Sequence, residues 1–310
     1  MNNSDHTKKL EFEFFQNFES AHTRESYRND LKSFFEFISS NFKRLTTAEV
    51  HKLHVIAYKD WLTKNQYAPK SINRKISTLS TFYRFLIEKN HMTYNPCDSV
   101  KKPKQTVKTE TNDLSDEEVI KVLEIIQEKA SPLHKAIVLL FFSTGIRKSE
   151  LIDLKLKDYK EINGEMTITV NAKGGKTLIK FLPKQCSEAL DDYITHMKNG
   201  GREIHPQDWI FQPSKNPSKK NANLVKPIRP KSIDYIFIKY CKLAGINKRV
   251  SPHSARATYI GSALQNGANI VKVSKDVGHS SVKTTEEYNK RRNRFEDSPI
   301  NSLGFLKEAS

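Results

Sequence analysis

The sequence predicts a mainly helical protein with one small antiparallel β-sheet, divided into two domains. Apolar residues in the first hundred positions recur at helical spacing, and two β-rich runs between residues 166 and 182 flank paired glycines. A chain of 310 residues is also long enough for two ordinary cores.

The segment Thr23–Ile38 places Tyr27, Leu31, Phe34 and Ile38 on one helical stripe. Ser71 is expected to cap a second helix whose stripe is Ile72, Ile76, Leu79, Tyr83 and Leu86. The aromatics read as core, while Arg74, Lys75 and Arg84 fall off the stripe and are candidate phosphate contacts. Asn95-Pro96 ends the first domain, assigned to residues 1–100. Residues 101–112 form an extended basic linker in which Lys101, Lys102 and Lys104 are further candidate phosphate contacts.

Ser115-Asp-Glu-Glu118 is a capping box that opens the second domain, residues 113–294. An apolar helix over Ala136–Phe142 is interrupted at Gly145. Met166–Val170 and Thr177–Leu182 read as strands joined by Asn171-Ala-Lys-Gly-Gly-Lys176, and Asn163-Gly164 supplies an earlier turn, giving a three-stranded sheet. Pro213–Lys231 holds six basic residues, four prolines and no acidic residue, and reads as a loop. The remainder is helical, followed by a tail over residues 295–310.

Lys and Arg number 52 against 35 Asp and Glu, a net charge of +17 spread through globular sequence. That favours a polyphosphate partner with salt-sensitive binding, without distinguishing DNA from RNA. No apolar run approaches the roughly 20 residues of a membrane span. The N-terminus lacks the apolar segment of a signal peptide. Cys97, Cys186 and Cys241 are odd in number and widely spaced, which fits a reducing cytoplasm and gives no disulfide framework or zinc pattern. His51 and His54 have no companion ligands, so neither a metal nor a cofactor is expected.

Arg147, His253, Arg256, His279 and Tyr288 lie in three short stretches. Each is commonplace by itself: a surface arginine, a chance HxxR on a helix, a Gly-His-Ser turn, a core tyrosine. Together they could surround one phosphodiester. The arginines supply fixed bidentate charge, the histidines donate hydrogen bonds or move protons, and the tyrosine can be a nucleophile.

In that order, with His279 and Tyr288 nine residues apart, the set resembles the tyrosine recombinase (phage integrase) family, especially its Xer-like members. Thr144-Gly-Ile-Arg-Lys-Ser-Glu-Leu151 resembles the first family box, His253-Ser-Ala-Arg256 the HxxR box, and Gly278-His-Ser-Ser281 with Thr284, Thr285 and Tyr288 the third box and nucleophile. Thr23, Tyr27, Asp30, Leu31 and Phe34 fit the pattern of the N-terminal SAM-like, core-binding domain. Lys173 aligns with the family's mobile catalytic lysine better than nearby Lys176 does, and Glu150 with its supporting acid. Ser254 and Ala255 depart from the usual Asp-Leu, and the basic loop at 213–231 is an addition; neither removes a catalytic group.

The resemblance implies a helical front domain and a mixed α/β catalytic domain, closing as a C-shaped clamp on DNA. It implies attack by Tyr288 to give a 3′-phosphotyrosyl bond and a Holliday-junction route, without metal or ATP. Arg147, Arg256 and His279 would stabilise the transition state, His253 would handle the tyrosine proton, and Lys173 would protonate the leaving 5′-oxygen. The partners implied are double-stranded DNA with paired inverted half-sites and a homotetramer on two sites, with a second recombinase or accessory factor left open. The tail, with Ile300, Leu303, Phe305 and Leu306, would dock on a neighbouring subunit or fold back on its own. The expected setting is cytoplasmic and nucleoid-associated. The rivals are a type IB topoisomerase and a non-catalytic DNA-binding protein with the same fold.

Overall fold

A computed structural model describes residues 3–42, 45–104, 112–172, 175–213 and 226–288, with side chains from Leu10 onward. The chain forms two compact units, residues 1–109 and 110–310.

The first unit contains α1 (Asn3–Gln16), α2 (Ala21–Asn41), α3 (Lys52–Lys64) and α4 (Pro69–Glu88). Ser20 caps α2 by accepting from the Thr23 amide, which satisfies one of the free donors of the first turn. The expected stripes point inward: Leu31, Phe34 and Ile38 from α2 and Ile72, Ile76, Leu79, Tyr83 and Leu86 from α4 are buried, and Tyr27 packs against them. Edge-on aromatic contacts, Phe34 with Tyr58 at 5.1 Å and Phe14 with Phe82 at 5.2 Å, bring the helices together.

Two sequence expectations are corrected. Helix α4 begins at Pro69 with Ala68 as its cap, so Ser71 lies inside the first turn. Proline at the first helical position needs no amide partner and has its φ already set, which outweighs a serine cap two residues later. Lys75, a candidate phosphate contact off the stripe, is 8% exposed, and its ammonium lies 3.3 Å from the Asp30 carboxylate. Asp30, 1% exposed, also pairs with Arg74 and accepts from Thr78 Oγ1 at 3.0 Å. A buried carboxylate requires such partners, and it holds Lys75 inside the unit. Arg74 is exposed beyond that pair, and Arg84, Lys101, Lys102 and Lys104 are exposed. Lys102 and Pro103 dock on α4, through Ser77 Oγ at 2.8 Å and Asn73 Nδ2 at 3.2 Å.

In the second unit, Ser115 and Glu118 form the expected reciprocal cap of α5 (Asp116–Lys129). Helix α6 (Pro132–Thr144) is apolar on nearly every side because it is central, contacting α5, α8 (Lys184–Asn199), α9 (Pro230–Leu243) and α10 (Pro252–Gln265). Short α7 (Lys148–Asp153) precedes strands β1 (Tyr159–Ile162), β2 (Glu165–Ala172) and β3 (Lys176–Phe181), which form the expected antiparallel sheet in the order β1-β2-β3. Asn163 and Gly164 both have positive φ, 53° and 84°, as the tight β1–β2 turn demands. Helices α11 (Ile270–Asp276) and α12 (Val282–Glu286) complete the described part. Among the described residues no helix is long and apolar enough to cross a membrane, and none of their His, Cys, Asp and Glu side chains form a group that could hold a metal ion.

Replacing Asp30 by alanine leaves the Lys75 ammonium buried without its carboxylate, so the first unit should lose about 3 kcal/mol. In a Trp209→Phe background, urea unfolding followed by Trp61 fluorescence should show the lowered midpoint; an unchanged midpoint would remove the pair from the account of stability.

Candidate active site

The site grows from two helix ends. Helix α6 stops at Gly145, whose φ of +56° turns the chain left-handed while its amide still reaches the Phe141 carbonyl at 3.1 Å. A Cβ there would lie 2.6 Å from the Tyr259 ring, so glycine is required on both counts. Helix α11 stops the same way at Gly278, φ +64°. The Gly278 amide donates to Lys275 O at 3.0 Å and the His279 amide to Ser274 O at 2.9 Å, a paired closure that directs His279 back over the helix end.

Arg147 follows Gly145 and Ile146 and caps α7. Its amide donates to Glu150 Oε2 at 2.8 Å, its Nη1 to Glu150 Oε1 at 2.6 Å and its Nη2 to the Gly278 carbonyl at 3.0 Å. Arg256 comes from α10, 2% exposed, and donates through Nη1 to Gly145 O at 2.7 Å and through Nη2 to Val277 O. Burial, with the neighbouring Arg147 charge, lowers its pKa to about 10. His279 Nδ1 lies 2.8 Å from the Oγ1 of fully buried Thr285. If that hydroxyl donates, the imidazole carries its proton on Nε2. Burial and then the charges of Arg256, Arg147 and His253 push the His279 pKa down to about 4.

Tyr288 lies at the end of this set. Its hydroxyl is 3.2 Å from His253 Nε2, and its ring stacks on His279 with centroids 5.9 Å apart. Burial raises the phenol pKa, while Arg256 and Arg147 pull it back. The structure therefore brings together Arg147, Glu150, His253, Arg256, His279 and Tyr288. Lys173 lies outside the described residues, as do residues 105–111 of the linker, the loop segment 214–225 and the tail. Arg74, Lys75, Arg84, Lys101, Lys102 and Lys104 belong to the first unit.

Sequence reasoning missed a polar group beneath the arginines. Lys180 on β3 pairs with Asp276 at 3.2 Å, and Tyr259 donates to the same carboxylate oxygen at 2.9 Å. A signal existed in β3, where Ile179 and Phe181 are exposed and Lys180 is buried, an inversion of the usual alternation.

Comparison with known proteins matches residues 112–294 to the phage integrase family and residues 14–90 to the phage integrase N-terminal SAM-like domain. A tyrosine recombinase of Pseudothermotoga lettingae is 31% identical over 272 residues, covering 87% of each chain. Tyrosine recombinase XerD of Rickettsia bellii is 28% identical, over 85% of this chain and 86% of the relative. Among solved structures, XerH recombinase bound to a palindromic difH substrate in a post-cleavage complex aligns with a TM-score of 0.71 at 17% identity, over 91% of this chain and 80% of that one. A lambda integrase tetramer bound to a Holliday junction aligns at 0.68 and 17% identity, over 94% and 78%. The structural likenesses bear on the fold, which is the mainly helical, two-unit architecture with a three-stranded sheet described above.

The depressed His279 pKa has a consequence for stability. Between its folded value of about 4 and the ordinary 6.5, the unfolded chain binds a proton that the folded site excludes, so stability falls as pH drops through that window. His54 and His134, also lowered by burial, act in the same direction. Urea unfolding across this range should give a shallower fall for His279→Gln than for wild type; parallel curves would mean His279 titrates normally.

Proposed function

The chain belongs to the phage integrase family and is a site-specific tyrosine recombinase, an enzyme that breaks and rejoins DNA; from that premise we propose that Tyr288 is its nucleophile and Arg147, His253, Arg256 and His279 its catalytic residues. The observation that carries the assignment is the 3.2 Å contact between the Tyr288 hydroxyl and His253 Nε2, beside two guanidinium groups already fixed by backbone carbonyls.

Tyr288 Oη attacks the scissile phosphorus and its proton passes to His253, which offsets a phenol pKa raised by burial. The phosphorus–O5′ bond breaks, leaving a 3′-phosphotyrosine and a 5′-hydroxyl. Attack by a 5′-hydroxyl on the phosphotyrosine reverses the step and returns the proton to Tyr288 through His253. The bond energy is retained, so strand joining draws on no external source. Each guanidinium keeps N–H donors that its carbonyl partners do not use. Those donors stabilise the charge of the pentacovalent phosphorus, and Nε2–H of His279 binds a non-bridging oxygen. Lys173, assigned on the resemblance of its stretch to the family motif, protonates the leaving 5′-oxygen. Glu150 fixes Arg147 at Nη1 and at its amide.

The substrate is double-stranded DNA with paired inverted half-sites, held by a homotetramer on two sites. Arg74, Arg84 and the 101–104 lysines are exposed and suited to phosphates, and the tail supplies the contact between subunits. Junction-bound and core-site-bound structures among the neighbours support this reading by analogy.

Covalent capture on chromosomal DNA of the source organism, followed by sequencing of protein-linked ends, tests the assignment. Discrete loci with inverted half-sites are expected from wild type and none from Tyr288→Phe, whose DNA binding should persist. Adduct from the phenylalanine variant would remove Tyr288 as nucleophile, and scattered Tyr288-dependent cleavage would favour topoisomerase-like relaxation. Arg256→Ala should slow adduct formation by about 10²–10³-fold. Truncation after Arg294 should weaken assembly on paired sites and leave single-site binding intact; unchanged assembly removes the tail from the interface.

A further inference from the structure

Close to the two arginines lies a third cation, this one deeply buried, that the cleavage steps do not use. Lys180 points inward from β3, 2% exposed, and its ammonium has three acceptors. They are the Thr144 carbonyl at 2.8 Å, the Asp276 carbonyl at 2.9 Å and Asp276 Oδ2 at 3.2 Å. An ammonium has three N–H donors, so its capacity is filled. Thr144 is the last residue of α6 and Asp276 the last of α11. Helix C-termini present carbonyls without intrahelical partners and the negative end of the dipole, so one cation between two such ends ties them together.

The same pattern repeats outward. Arg256 bridges Gly145 and Val277, each one residue beyond the pair held by Lys180, and Arg147 binds Gly278 one residue further along. Three cations thus form a ladder across the same two helix ends. Its outer rungs are the arginines assigned to the phosphate and its innermost rung is Lys180. Tyr259 secures that rung from the other side: its hydroxyl holds Asp276 Oδ2 while its ring fills the space over Gly145.

We propose that Lys180 is a positioning residue for DNA cleavage, setting the separation of the two helix ends from which Arg147, Arg256 and His279 address the phosphate. Its effect on cleavage rests on the recombinase reading above; its effect on the geometry of the free protein does not. A bland structural role is the competing account, but a buried ion pair contributes little net stability against its desolvation cost. An apolar side chain at 180 would fill the volume and leave both terminal carbonyls without this donor.

The test separates stability from position. Lys180→Met removes the donors, and Lys180→Met/Asp276→Asn does so without net change of charge while keeping an acceptor for Tyr259. Asp276→Asn alone leaves both backbone carbonyls bonded to Lys180. Thermal unfolding establishes that each variant folds, and if Lys180→Met does not, the double variant carries the test. His279 is the reporter in the free protein, because burial and then the charges of Arg256, Arg147 and His253 lower its pKa, and Lys180 is not among those causes. Followed by NMR, its midpoint should rise by about one pH unit in both variants lacking Lys180, as the arginines move off, and stay at the wild-type value in Asp276→Asn. With sheared chromosomal DNA, the same two variants should form adduct about tenfold more slowly than wild type while retaining DNA affinity. A folded variant lacking Lys180 with wild-type His279 titration overturns the proposal. Absence of Tyr288-dependent adduct from wild type would instead overturn the recombinase assignment, and the His279 titration would still decide the role of Lys180.

Discussion

Two helix ends, each closed by a left-handed glycine, face one another, and their carbonyls must find donors. The rest of the site depends on that requirement. A buried carbonyl left without a donor costs stability, and ordinary side chains on α10 and β3 would not reach both ends at once. Long cationic side chains do. Arg256 reaches Gly145 and Val277, Lys180 reaches Thr144 and Asp276, and Arg147 reaches Gly278. The demands of folding therefore fix the guanidinium groups in advance, and groups fixed in advance need little rearrangement when charge develops on a phosphate.

The arrangement leaves an electrostatic deficit. Three cations, Arg147, Arg256 and Lys180, crowd together here, and the ion pairs that hold them are Arg147 with Glu150 and Lys180 with Asp276. Carbonyls satisfy hydrogen-bonding capacity but carry no net charge, so the cations repel one another. Burial, and after it the neighbouring positive charge, draws Arg256 down to about 10 and His279 to about 4. A phosphodiester is the counter-charge such a set lacks. Binding one relieves the repulsion, so the folded state and the DNA complex are linked: an anion bound only by the native site adds to stability by mass action.

Much of this was legible in the sequence because it depends on local chemistry. The Ser115–Glu118 box, the Asn163-Gly164 turn, the Gly145 stop and the HxxR spacing each specify their geometry within a few residues. The meeting of the catalytic candidates was legible only through their combination, since residues 147, 256 and 279 are joined by packing that no local rule contains. What was not legible depends on competition between nearby signals or on distant partners. Ser71 gave way to Pro69 as the determinant of the α4 start. Lys75 turned inward because Asp30, on another helix, is buried and needs cations. Lys180 drew no reading from the sequence, although Leu178 and Leu182, which alternate with it onto the same side, pack inward.

Lys75, Lys180 and Arg256 also qualify what net charge means for this protein. A total of +17 counts them equally with surface lysines, yet each is nearly inaccessible and already engaged by carboxylate or carbonyl oxygens. Long-range attraction of a polyanion depends on exposed charge, which salt screens over a Debye length of about 10 Å at 0.1 M. The buried cations contribute little to that encounter and are screened less. On the proposed assignment, Arg256 and Lys180 contribute once the phosphate backbone is seated, where distance and direction outweigh total charge, while Lys75 serves the packing of the first unit. Diffuse surface charge therefore governs how readily DNA is gathered, and on the proposed assignment the carbonyl-held ladder acts on the one phosphodiester that reaches Tyr288.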